Sequence, residues 1–170
     1  MRLVLGLVFL CGLPATGHAQ EMQGAYVGAG ISLLSYTQPA DLAGPEVSDD
    51  ANAYRLLGGY RFNDRYAVEA AFGATADMAR TFSTFSARGI ALLPLSKVDF
   101  FGGVGYYEAT FNKSVLSGAD GLERTDRGAA VIGGFVFNLP RVSVRGEYEW
   151  LDTDGEREAS SISVLVLLRF

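Results

Sequence analysis

The chain has one cysteine, Cys11, and one histidine, His18, and both fall in its first 19 residues. If that segment is a leader that is removed, no thiol and no imidazole remain. A disulfide framework is then excluded, and so is chemistry that depends on histidine. Basic charge is scarce as well: 14 Lys and Arg stand against 19 Asp and Glu, for a net charge of −5. A nucleic-acid partner would need a basic surface, so that function class is excluded. Long apolar runs are also missing. The longest, Leu3 to Leu13, is shorter than the ~20 residues of a membrane-spanning helix. Helical periodicity is hard to find after Gln20.

The leader itself is legible. Arg2 precedes the apolar run, Pro14 breaks it, and Gly17 and Ala19 supply small residues ahead of a cleavage point. This is the pattern of a secretory signal peptide over residues 1–19, which leaves Gln20 to Phe170 as a single domain. A lipid anchor at Cys11 is disfavoured because Leu10 is too large for the position before a lipidated cysteine.

The remainder is rich in what sheets use, with 21 Gly and 12% aromatic residues. Turn signals divide it into eight expected strands, at about 24–34, 51–62, 65–74, 81–93, 99–111, 127–137, 141–150 and 160–170. The connections at Asn63-Asp64, Pro94 to Lys97 and Asn138 to Arg141 are tight, whereas 35–50 and 112–126 are long and polar. Short turns at one end and longer loops at the other are the arrangement of an outer-membrane barrel. A weak repeat, GGYRFN at 58–63 and GGFVFN at 133–138, ends a strand and enters a tight turn each time, as a reused hairpin would.

Alternate residues of a strand face opposite sides, so parity tests the assignment. Tyr54, Leu56, Gly58, Tyr60 and Phe62 share one face, with Arg55, Leu57, Gly59 and Arg61 on the other. The seventh strand sets Val142, Val144, Gly146, Tyr148 and Trp150 against Ser143, Arg145, Glu147 and Glu149, and the third sets Tyr66, Val68, Ala70 and Phe72 against Glu69. In the fourth strand, energy decides. An Arg facing lipid near mid-membrane costs ~2–4 kcal/mol, so Arg88 points inward and Phe85, Ala87, Gly89, Ala91 and Leu93 point out. In the last strand Ile162, Val164, Val166, Leu168 and Phe170 form the outer face. Tyr60, Phe62, Tyr66, Phe100, Phe135, Phe137 and Phe170 fall where an interfacial aromatic girdle would sit. The fold class is therefore all-β, an eight-stranded antiparallel up-and-down transmembrane β-barrel.

These stretches resemble a known family, the eight-stranded outer-membrane barrels of the OmpA and OmpX type. AYVGAGISL (25–33) is similar to the family's first strand, YRLLGGYRFNDRYAVEAAFG (54–73) to its second hairpin with Glu69 as the inward acid, and RGEYEWLD (145–152) to its seventh strand. The resemblance implies residence in a Gram-negative outer membrane, among lipid and lipopolysaccharide. It also implies that Phe170 serves as the C-terminal signal read by the barrel-assembly machinery. The chain stops at the barrel, without the peptidoglycan-binding domain of longer relatives, so wall tethering is not expected.

A barrel of this size has room inside only for side chains. Glu69, Arg88, Arg145 and Glu147 lie at similar heights above the turns and are expected to form one lumenal charge layer, which Arg55, Arg61 and Arg169 extend. Such a network satisfies buried charge and plugs the lumen. Acyl transfer on lipid is the enzymatic alternative, but it lacks a histidine, and Lys97 and Lys113 have no evident serine partner. The acidic stretch LDTDGEREA (151–159) carries Asp152, Asp154, Glu156 and Glu158, yet Gly155 is misplaced for a Ca²⁺ loop, so a solvated loop is expected. The loop at 35–50 holds Asp41, Glu46, Asp49 and Asp50 with no basic residue. The sequence thus points to a monomeric, non-enzymatic barrel without cofactor or metal, and with a structural, surface-interaction or minor-permeability role. A secreted lipocalin-like barrel for an apolar ligand is the alternative, and it requires the opposite parity.

Overall fold

In the computed structural model the alternating segments become strands that each pair with the next. They are β1 (Gly24–Gln38), β2 (Val47–Arg61), β3 (Tyr66–Thr75), β4 (Arg80–Leu95), β5 (Val98–Lys113), β6 (Glu123–Asn138), β7 (Val142–Thr153) and β8 (Glu158–Arg169). All neighbours are antiparallel, and β1 also pairs with β8, closing an up-and-down barrel of eight strands. Closure leaves no strand edge unpaired, the condition for a sheet in lipid. The structure describes residues 23–38, 47–75, 80–113, 123–153 and 158–170. The proposed leader, Asp41 and Glu46 of the first long loop, and Asp154 and Glu156 of the last lie outside the described residues.

The expected parity holds around the wall. Tyr54, Leu56, Val68, Phe72, Phe85, Val144, Tyr148, Ile162, Val164, Val166 and Leu168 are exposed on the outside, while Arg55, Arg61, Glu69, Arg88, Arg145 and Glu147 are buried in the lumen. Tyr60, Phe62, Tyr66, Phe100, Phe135, Phe137 and Phe170 are exposed near the turn end. Toward the loop end the outer face turns polar: above Tyr106 comes Glu108, which pairs at 3.0 Å with Arg127 on the neighbouring strand.

The strands outrun their expected limits at the loop end. Ser35 to Gln38 pair with Asp50 to Val47, where a loop was expected from residue 35 to 50. Ladder hydrogen bonds continue through polar residues as readily as apolar ones, so hydrophobic alternation marks where the wall meets lipid and not where pairing ends. Ser35 Oγ donates to Asp50 Oδ1 at 2.7 Å across this extension.

Turn chemistry fixes the register at the other end. Asn63 Oδ1 accepts from the amides of Arg65 and Tyr66 at 2.8 and 2.9 Å, an Asx turn that ends β2 and starts β3. Between β4 and β5 only Ser96 and Lys97 intervene, and Ser96 takes the positive φ of 56° that a primed hairpin turn requires.

Candidate functional site: the lumenal charge network

Register places acid and base face to face inside the barrel. Glu69 of β3 and Arg88 of β4 are direct cross-strand partners, with Arg88 Nε 3.1 Å from Glu69 Oε2. Arg145 reaches across the lumen from β7 and grips Glu69 with both terminal nitrogens, at 2.5 and 3.1 Å. The two-pronged grip suits guanidinium to carboxylate and holds both side chains in one geometry. Glu147 is the hub: Arg55 Nε lies 3.1 Å from it, Arg88 Nη2 3.3 Å and Arg145 Nε 2.8 Å. Glu149 completes the set, 2.6 Å from Arg55 and 3.3 Å from Arg88. Three guanidinium groups thus meet three carboxylates, so the buried cluster carries no net charge.

Neutral groups finish the cluster. Tyr26 donates its hydroxyl to Glu69 at 2.5 Å, and Arg55 donates to Ser161 at 3.3 Å. Tyr26 gains its path because residue 59, its cross-strand neighbour, is glycine; a Cβ there would stand 2.6 Å from the Tyr26 ring. The Arg145 guanidinium also stacks 3.9 Å over the centre of the Phe101 ring.

The four residues expected to form one layer, Glu69, Arg88, Arg145 and Glu147, meet here together with Arg55, one of the three expected to extend it. Arg61 and Arg169 lie in a second tier nearer the turns. Arg61 pairs with Asp99 at 2.8 Å and donates to the carbonyls of Asn63 and Asp64 at 3.1 and 2.8 Å. Arg169 donates to Asn138 and Ser143. Both were expected to extend the network, and these groups are among their partners.

The two tiers are bounded differently. On the loop side Leu34, Tyr107, Ala109, Ala130, Leu151 and Ala159 form a buried apolar cluster in which Tyr107 has 0% exposure. On the turn side a cavity of about 660 Å³ runs from Glu69 and Arg145 down to Arg61, Lys97, Asn138 and Arg169.

Sequence reasoning passed over Glu149, Asp99 and Tyr26 as members. Glu149 had its signal, since it shares a face with Glu147. Asp99 follows from an outward Phe100, and Tyr26 from the outward Val27, Ala29 and Ile31. Among the described residues, no group of three or more acidic, histidine or cysteine side chains gathers as a metal site. Lys97 sits in the β4–β5 turn and Lys113 at the opposite end of β5.

An antiparallel barrel with no open edge, apolar outside and charged inside, is the class of lipid-embedded barrel found in outer membranes. The comparisons agree. The family model described as outer membrane protein beta-barrel domain matches residues 3–170, and the chain belongs to that family. Among solved structures it is similar to neisserial surface protein A, with a TM-score of 0.69 and 17% identity over 86% of this chain and 97% of that one. It is similar to Ail, the attachment invasion locus protein of Yersinia pestis, solved with the heparin analogue sucrose octasulfate, with a TM-score of 0.66 and 18% identity over 88% of this chain and 100% of that one. It is also similar to the N-terminal barrel domain of Pseudomonas aeruginosa OprF, with a TM-score of 0.65 and 11% identity over 89% of this chain and 100% of that one. At these identities the likeness is one of fold. No curated protein matches the chain.

Proposed function

We propose that this chain is a monomeric, non-enzymatic outer-membrane protein whose plugged barrel anchors loops that make contacts at the cell surface. The neutral cluster of Arg55, Arg88 and Arg145 with Glu69, Glu147 and Glu149, lying beneath the Tyr107 apolar tier, carries this reading. Paired charges fill the centre, and opening a water path between them means separating buried ions, which is strongly unfavourable. Exterior residues such as Ile31, Leu56, Val164 and Val166 solvate the barrel in outer-membrane lipid, among lipopolysaccharide in the outer leaflet. In this reading a signal peptide over residues 1–19 directs export, and Phe170 presents the C-terminal signal to the assembly machinery.

The loops set the kind of partner. Ail was solved with a sulfated heparin analogue, but the segment 35–50 of this chain carries Asp41, Glu46, Asp49 and Asp50 without a Lys or Arg. A polyanion is repelled by such a surface, so a basic partner, or one bridged by divalent cations, fits better. The lipocalin-like alternative is set aside because the apolar side chains face outward and the charges inward.

Planar-bilayer recording of the folded protein tests the plug. The expected result is the absence of sustained conductance steps, and a stable open channel in the unmodified protein would overturn the reading.

A further inference from the structure

An eight-stranded barrel encloses either packed side chains or space for one small ligand. The centre of this lumen is filled by the ion cluster, and its loop end by the Tyr107 cluster. The turn end is built in the second way. Its cavity of about 660 Å³ is of the size that holds small molecules, and its wall is largely apolar: Ala67, Ile90, Leu92, Phe101, Val136 and Leu167. Glycines keep that space. Leu167, Ile90 and Phe101 each have a glycine as direct cross-strand partner, Gly28, Gly103 and Gly134 respectively. A Cβ at any of the three would strike the side chain opposite, so larger residues there would push these side chains toward the barrel axis and into the cavity.

The charged residues along the cavity have protein partners. Glu69 and Arg145 at its floor hold each other, Arg61 holds Asp99, and Asn138 and Ser143 are among the partners of Arg169. A ligand that enters therefore gains little from polar contacts at depth and most from the apolar wall, where it displaces water. The exposed polar residues of the lining, Gln23, Ser96 and Lys97, stand at the mouth. Apolar depth behind a polar rim is the complement of a molecule with a long apolar body and one polar end.

We propose that the turn end of the lumen binds a single acyl chain, held with its tail against Ile90, Leu92 and Val136 and its polar head beside Gln23 and Lys97. The chain comes from a free fatty acid or from a lysophospholipid, and the site recognises the same hydrocarbon in both. This role adds to the surface role of the loops and does not depend on it.

The test uses the folded barrel with labelled methyl groups in nanodiscs of deuterated phosphatidylcholine, to which protonated dodecanoic acid or dodecanoyl lysophosphatidylcholine is added. Nuclear Overhauser contacts, which reach only neighbouring protons, then report which methyl groups the added chain touches. Saturable contacts to the inward methyls of Ile90, Leu92 and Val136 are expected, whereas the outward Val68, Val144 and Val166 report the surrounding lipid. Leu92 is only partly buried, so a larger side chain there enters the cavity without displacing the buried wall. Leu92→Trp should reduce the contacts to Ile90 and Val136 about tenfold and leave those to the outward methyls unchanged. Heat-dependent gel mobility checks that the variant folds, and if it does not, the contacts in the unmodified protein decide the matter. Lumenal contacts from the fatty acid alone assign a carboxylate head, from the lysophospholipid alone a lipid head, and from both a site indifferent to the head. Contacts confined to the outward methyls with both probes, or lumenal contacts undiminished in folded Leu92→Trp, would overturn the proposal.

Discussion

The two ends of the lumen are built on the same alternation of residues but solve opposite problems. The loop end is filled by Leu34, Tyr107, Ala130 and Leu151, apolar and buried. The turn end keeps a cavity walled by Ala67, Ile90, Phe101, Val136 and Leu167, with Arg61, Lys97, Asn138 and Arg169 also lining it. Between them six charged side chains cancel one another. The difference teaches that parity specifies only which way a side chain points. What can occupy an inward position depends on its access to water, because a charge away from water must be paired, whereas one at a wet mouth need not be.

Glu147→Ala should have the largest effect, since it removes the hub shared by Arg55, Arg88 and Arg145 and leaves buried guanidinium groups short of acid. A loss of about 3–5 kcal/mol is expected from urea unfolding of the protein in lipid vesicles. Tyr107→Ala removes a fully buried ring from the loop-side tier, for about 3 kcal/mol by the same measurement, without opening a conductance because the central ion pairs remain. Asp99→Asn at the turn end should cost less, about 1–2 kcal/mol, because Arg61 keeps the Asn63 and Asp64 carbonyls. A loss at position 99 as large as that at 147 would erase the distinction between the tiers. Ser96→Gly, in the β4–β5 turn at the cavity's edge, should stabilise slightly, by up to about 1 kcal/mol, by easing the positive φ of that turn.

Much of this was legible in the sequence. Alternation identified the outer face in β2, β3, β7 and β8, and the cost of an arginine in lipid oriented β4, placing Arg88 opposite Glu69. The polar ends of the strands were not legible, because Ser35 to Gln38 and Val47 to Asp50 carry one apolar or aromatic residue each and no alternation, although their backbones pair. The division into tiers was not legible either. Arg61 and Arg169 were expected to extend the network, but only three-dimensional register reveals that Arg61 meets Asp99 and Arg169 meets Asn138 and Ser143. Tyr26 joined the network through Gly59, a gap visible only once the register of β1 on β2 is known.

We propose that the lumen is closed toward the loops and open toward the turns. Single cysteines at Ala67, on the cavity wall, and at Ala109, in the apolar tier, test it directly in oriented vesicles with a membrane-impermeant thiol reagent applied to one side at a time. The account predicts that the cysteine at 67 reacts from the turn side alone and the one at 109 from neither side. Labelling of 67 from the loop side, or of 109 from either side, would contradict it.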